Sequence, residues 1–215
     1  MAERHKRPYD SPARRSQAAG TQQRIVEATR DLFLSRGYAA TTMADVAAAA
    51  GVSVQTVYSA AGGKAGLAKR VWDATVVGDL EAVPMMLRPE IQEMRDEADP
   101  AVVLRLYARL SRQVYERLGP LARVLRAGAA GDATLLQLID TTEGERLTGT
   151  TALAAHLHAM GALRADLTPA SGGQRLWVLN GGEVADGLTL RCGWSLDEYE
   201  AWLGESMAHA VLRTP

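Results

Sequence analysis

The chain has 215 residues and a mass of 23.0 kDa, with 24 Lys and Arg against 25 Asp and Glu, a net charge of −1 and a pI near 6.4. Its single cysteine, Cys192, excludes an intramolecular disulfide and a cysteine-built zinc cluster. No run approaches about 18 consecutive apolar residues and the N-terminus lacks the apolar stretch of a signal peptide, which predicts a cytoplasmic protein without a membrane segment.

The near-zero net charge conceals a split. Residues 1–70 hold 11 Lys and Arg against 5 Asp and Glu, whereas residues 71–215 hold 13 against 20. A basic segment of this kind suits a polyanion, and the acidic segment joined to it suits another task. At 47% apolar residues the chain has material for a packed core in one large or two small domains.

Residues 1–20 combine Arg4, Lys6, Arg7, Arg14 and Arg15 with Pro8 and Pro12 and few apolar side chains, which predicts a disordered basic arm. Such an arm either touches DNA phosphates or the minor groove, or is a solvated tail. From Thr21 an apolar stripe of period 3.6, Ile25, Ala28, Leu32 and Phe33, predicts a first helix ending at Gly37. Thr42 with Asp45 three residues on is a variant capping box that opens a short second helix closed by Gly51. Ser53 caps a third, from Val54 to about Ala60, broken by Gly62 and Gly63. A fourth runs from Lys64 to about Asp79.

Further on, Asp99 and Pro100 open a helix stopped at Gly119, and Pro120 to Ala130 forms another. Asp132 caps a long helix reaching His158 or Gly161. Thr168 and Pro169 start the next, and the capping box Ser195-Leu196-Asp197-Glu198 opens the last. With no convincing strand pair, the fold class is all-α. Its parts are the arm at 1–20, a three-helix DNA-binding domain at 21–66 and a larger helical domain at 67–215.

Two short helices joined by a glycine turn form a helix-turn-helix when the turn is compact and the second helix is locked across the first. Here Ala47 is small at the closest approach, Gly51 can take a positive φ, and Val52 and Val57 supply the apolar contacts. With Val57 turned inward, Val54, Gln55, Thr56 and Tyr58 occupy the outward face of a recognition helix. Gln55 can bond an adenine edge bidentately, Val54 and Thr56 can meet a thymine methyl, and Tyr58 can bond a phosphate. Thr42, Ser53 and Lys64 stand at helix starts, where hydroxyls, free N–H groups and an ammonium suit phosphates. A small helical bundle with incidental polar surface is the alternative.

The run Thr41-Thr42-Met43-Ala44-Asp45-Val46-Ala47, then Gly51-Val52-Ser53-Val54-Gln55-Thr56-Val57-Tyr58 and Lys64, preceded by Phe33 and Gly37-Tyr38, resembles the N-terminal domain of TetR-family transcriptional regulators over about residues 21–72. A weaker resemblance extends to Gly193-Trp194-Ser195, Tyr199 and Trp202-Leu203, which look like the last helix of many members. The resemblance implies an all-α homodimer that binds a double-stranded DNA operator and carries an effector-binding C-terminal domain. The chain departs from the family pattern at Ala60 and Ala61, where members often carry His or Tyr followed by Phe. That departure predicts a looser junction between the third and fourth helices.

The acidic half offers little for catalysis, so the chain is read as a non-enzyme without cofactor or metal. His156 and His158, at i and i+2, point about 200° apart on a helix and cannot share a metal. Glu143 and Glu145 have the same spacing and read as a solvated face, and Gly172-Gly173 and Gly181-Gly182 read as helix breaks or ends. Tyr107, Leu110, Leu121, Leu125, Leu157, Met160, Leu176 and Trp177 are either ordinary core or the wall of a pocket, with Arg126, His156 or Asn180 as polar anchors. The effector-site candidates are thus Tyr107, Leu110, Arg126, His156, Trp177 and Asn180. Val184, Leu188, Leu190, Trp202, Leu203 and Met207 are candidates for a self-complementary dimer face. The leading reading is a ligand-responsive, nucleoid-associated repressor, and its rival is a helical carrier or enzyme with a degenerate DNA-binding head.

Overall fold

The computed structural model describes residues 12–78, 83 and 85–213. The chain divides into two compact units, Met1–Val71 and Trp72–Pro215. Among the described residues it is helical throughout, with one isolated bridge between Leu163 and Leu212.

In the first unit, here the head, α1 (Pro12–Arg36), α2 (Met43–Ala50), α3 (Val54–Ala61) and the start of α4 (Lys64–Val77) enclose a small core. Ile25, Leu32, Met43, Val46, Ala47, Ala50, Val57 and Leu67 are buried together there. Leu67 belongs to this core, so the division falls after Val71 rather than after residue 66. Residues 12–20, expected in the arm, instead continue α1 toward the N-terminus, and residues 1–11 lie outside the described residues. Ala13, Gln17, Ala18 and Ala19 are tolerant enough of helix for the turn to extend.

The second unit, the body, contains α5 (Pro89–Asp96), α6 (Pro100–Ala129), α7 (Ala133–Ala159), α8 (Pro169–Leu179), α9 (Gly182–Asp186) and α10 (Leu196–Val211). Its core gathers Val103, Leu104, Leu157, Leu176, Tyr199 and Leu203, among others, from α6, α7, α8 and α10. Helix starts follow the expected caps. Asp99, Asp132, Thr168 and Ser195 each accept a backbone N–H in the first turn, a contribution of roughly 0.5–2 kcal/mol per cap.

Three features of the body differ from expectation. No helix end occurs at Gly119, because α6 runs through Pro120. A proline inside a helix costs about 3 kcal/mol, but Leu118, Leu121 and Leu125 are buried on either side of it, each stabilising by roughly 1.5–3 kcal/mol. Gly172 and Gly173 are not breaks. They lie inside α8, where a Cβ on Gly173 would stand 2.6 Å from the Thr151 Cα and one on Gly172 would stand 3.2 Å from the Ala154 Cβ, so they let α8 lie close on α7. Third, α5 had no counterpart among the predicted elements: its sequence is polar and only Met94 is buried.

After α9 the backbone opens into a π-helical turn, Gly187–Arg191. The Tyr115 hydroxyl on α6 donates to Asp186 at 2.8 Å and lies 2.7 Å from the Thr189 hydroxyl, and Arg123 bonds the same carboxylate at 2.8 Å. Polar groups thereby fasten a segment that carries few apolar anchors.

Candidate DNA-binding site

The turn between α2 and α3 has the geometry that residue size demands. Gly51 adopts φ 65°, and its N–H and that of Val52 return to the carbonyls at the end of α2, Val52 reaching Ala47 at 3.0 Å. Ala47 and Val57 are buried, which locks α3 across α2.

α3 presents the opposite face to solvent. Val54 is 41% and Tyr58 46% exposed, Gln55 is exposed, and Thr56 is half-buried. Thr56 serves the cap: its N–H donates to the Ser53 hydroxyl at 3.1 Å and the two hydroxyls lie 2.8 Å apart. The start of α2 is a closed capping box. Thr42 donates its N–H (2.9 Å) and hydroxyl (2.6 Å) to the Asp45 carboxylate, and the Asp45 N–H returns to the Thr42 hydroxyl at 3.1 Å. Hydrogen bonds from the Thr42 hydroxyl and N–H, aided by Arg36 at 3.6 Å, hold the Asp45 carboxyl below its ordinary value.

Lys64 has work inside the head. Its ammonium donates to the carbonyls of Tyr38 (3.1 Å) and Ala39 (3.3 Å) and lies 4.4 Å from the Tyr38 ring centroid, and that ring packs 5.3 Å from Phe33. Two of its three donors tie α4 to the loop before α2. Arg24, not singled out in the sequence, joins α1 to the end of α2 by donating to the Ala50 carbonyl at 3.3 Å. Nothing in its spacing marks it, because its partner is 26 residues away. Ala60 and Ala61 are half-buried against the head core, so small residues fill the junction after α3.

In the body, three of the six effector candidates lie in one polar cluster. Asn180, which caps α8, donates to the Tyr107 hydroxyl at 2.9 Å and accepts from Arg146 at 2.5 Å. Arg146 also bonds the Trp177 carbonyl and stacks 4.5 Å from the Trp177 ring centroid. Its other arm pairs with Glu143, so Glu143 is not on a solvated face as its spacing suggested. The Glu143 and Arg146 pair, at i and i+3 on α7, was the available signal for this cluster. Burial pushes the Tyr107 phenol up to about 12, against the opposing charge of Arg146.

The other candidates stand apart. Arg126 abuts Gly182, its guanidinium 2.9 Å from where a Cβ would sit, and Leu110 is half-buried. His156 follows Arg146 on α7 by ten residues, about 15 Å at 1.5 Å per residue, with its Nε2 buried and unpartnered. Clefts of about 490 Å³, between α6 and α10, and about 330 Å³, near Gly161, are lined by none of the six. Of the dimer candidates, Leu203 and Met207 are fully buried in the body's own core and cannot form an outer face. Trp202 is half-buried, edge-on to Trp194 at 6.2 Å and stacked on Tyr199 at 6.4 Å. Val184 and Leu188 are half-buried and Leu190 is exposed.

Among the described residues no three His, Cys, Asp or Glu side chains group as a metal site, and no helix is long and apolar enough to cross a membrane. A locked helix-turn-helix with an exposed second helix, in a basic head, has the form of a DNA-binding element. Residues 25–71 match the model of bacterial regulatory proteins of the tetR family. The HTH-type transcriptional regulator AlkX of Mycobacterium tuberculosis is 49% identical over 45 residues, a stretch that covers 21% of this chain and 21% of that protein. Two solved structures share the fold over nearly the whole chain. NalD, the secondary repressor of the MexAB-OprM multidrug efflux pump in Pseudomonas aeruginosa, has a TM-score of 0.59 and 20% identity, over 92% of this chain and 98% of its own. SmeT, in a complex with triclosan, has a TM-score of 0.67 and 15% identity, over 90% and 92%.

Proposed function

We propose that this protein is a ligand-responsive homodimeric repressor that binds a pseudo-palindromic operator and leaves it when a small molecule occupies the body. The observation that carries the reading is α3, which buries Val57 completely while turning Val54, Gln55 and Tyr58 to solvent. In a dimer, two such helices enter successive major grooves about 34 to 36 Å apart. Gln55 reads a base edge, Val54 and Thr56 offer methyl contacts, and Tyr58, the third donor of Lys64 and the helix starts at Thr42 and Ser53 meet phosphates.

The cluster of Tyr107, Trp177 and Asn180 around Arg146 is the best-supported effector region, since it sets polar and aromatic groups together inside a helical body. SmeT, of like fold, binds triclosan in the complex solved, in keeping with a small-molecule site. The dimer face draws on the outer sides of α8 and α10, where Val178 is exposed and Trp202 half-exposed. Such a protein works in the cytoplasm on nucleoid DNA. The effector acts by its difference in affinity for the two dimer geometries, and no further.

The test measures affinity for a duplex selected from a random pool and for random DNA. Gln55→Ala should lose about 1–3 kcal/mol on the selected duplex alone, and Lys64→Ala should weaken both duplexes alike. Equal losses on both duplexes for both variants would overturn these roles.

A further inference from the structure

We propose that Gly66 is a positioning residue for DNA recognition: by carrying no side chain it seats the first turn of α4 directly on the C-terminal carbonyl of α3, and so fixes the tilt at which α3 is presented. This rests on the reading of α3 as the recognition helix. A Cβ built on Gly66 falls well inside contact distance of the Ala61 carbonyl oxygen and 3.0 Å from its carbon. Both are backbone atoms, so no rotamer change relieves the overlap.

The two helices differ in how far they can yield. α4 is pinned just beyond the contact by Leu67 and Ala68, both buried, and at its start by the Lys64 bonds to Tyr38 and Ala39. α3 is held in its middle by Val57, buried in the head core, while the Ser53 cap is a bond within its own first turn. Its last turn is held more lightly, by the half-buried Ala60 and Ala61. A side chain at position 66 is therefore absorbed by tilting α3 as a unit about the Val57 contact, which re-aims Gln55 and the rest of the exposed face in the groove. Small residues at 60 and 61 and none at 66 form one matched joint.

Two neighbouring glycines separate this role from ordinary glycine effects. Gly62 needs its own φ of 71° to end α3. Gly63 has ordinary φ, and a Cβ there meets nothing within 4 Å. The experiment compares wild type, Gly66→Ala and Gly63→Ala in the full chain. It measures Kd for a duplex selected by the wild type and for random duplex, together with thermal unfolding. Gly66→Ala is expected to lose roughly ten-fold or more on the selected duplex, within the range set by one base contact, while binding random duplex within about two-fold. Gly63→Ala is expected to keep the wild-type ratio.

An unchanged ratio in Gly66→Ala overturns the proposal. So does equal loss on both duplexes with a lowered unfolding temperature, since the glycine then maintains the fold of the head instead of aiming one helix. A ratio lost equally in Gly63→Ala also overturns it. A wild type without sequence preference removes the DNA-recognition reading itself, and the proposal with it.

Discussion

Val57 and Gln55 lie two residues apart on the same helix and should fail in opposite ways. Val57 is wholly buried among the α2 and α3 side chains that lock the turn, so Val57→Ala removes two methyl groups from a closed core. At about 0.8 kcal/mol per buried carbon, with a further term for the unfilled space, the loss is about 2–3 kcal/mol. Gln55 is exposed, and Gln55→Ala should stay within about 0.5 kcal/mol of wild-type stability. Urea unfolding gives both numbers, and DNA titration of the same samples supplies the contrast. Val57→Ala should lose selected and random duplex together as the head opens, whereas Gln55→Ala should lose the selected duplex only. If Val57→Ala is as stable as wild type, or Gln55→Ala is as destabilised as Val57→Ala, the assignment of inner and outer faces to α3 is wrong.

Leu203→Ala should cost about 2–5 kcal/mol in urea unfolding at any protein concentration, because Leu203 belongs to the body core; a loss that disappears in dilute monomer would return it to a subunit interface. Arg117 donates to the Thr75 carbonyl at 3.3 Å and the Val76 carbonyl at 3.0 Å, at the end of α4, and Arg117→Ala should speed hydrogen exchange in the last turn of that helix; unchanged exchange would show that these bonds contribute nothing. Asp45 and Glu198 are both held low by their capping partners, Thr42 and Ser195. Their contribution is therefore present above the unfolded values of 3.8 and 4.5 and fades as the pH falls through the lower folded values. Carboxyl titration by NMR should find both midpoints below those values, and a midpoint at or above either would refute the cap at that site.

Local chemistry made the head and the helix starts legible. Thr42, Ser53, Asp99, Asp132, Thr168 and Ser195 announce themselves because a cap is decided within three or four residues. The helix-turn-helix was equally readable, since Ala47, Gly51 and Val57 act on each other within one turn. What the sequence hid depends on distant partners. Gly119-Pro120 reads as a stop until burial of Leu118, Leu121 and Leu125 outweighs it. Gly172-Gly173 reads as a break until α7 is laid against it. Leu203 and Met207 look like an exposed seam because the amphipathic stripe of α10 is the same whether it faces its own core or another copy. The cluster around Arg146 joins residues of α6, α7 and α8 that no local pattern connects.

Sequence reading through α3 by a protein of near-neutral charge is decided by the salt dependence of binding by the full chain to a duplex selected from a random pool and to the same duplex shuffled. The expected result is a preference of about 1,000-fold or more for the selected duplex, with both affinities falling steeply and nearly in parallel as salt rises. Equal affinity for the two duplexes at every salt concentration would contradict it.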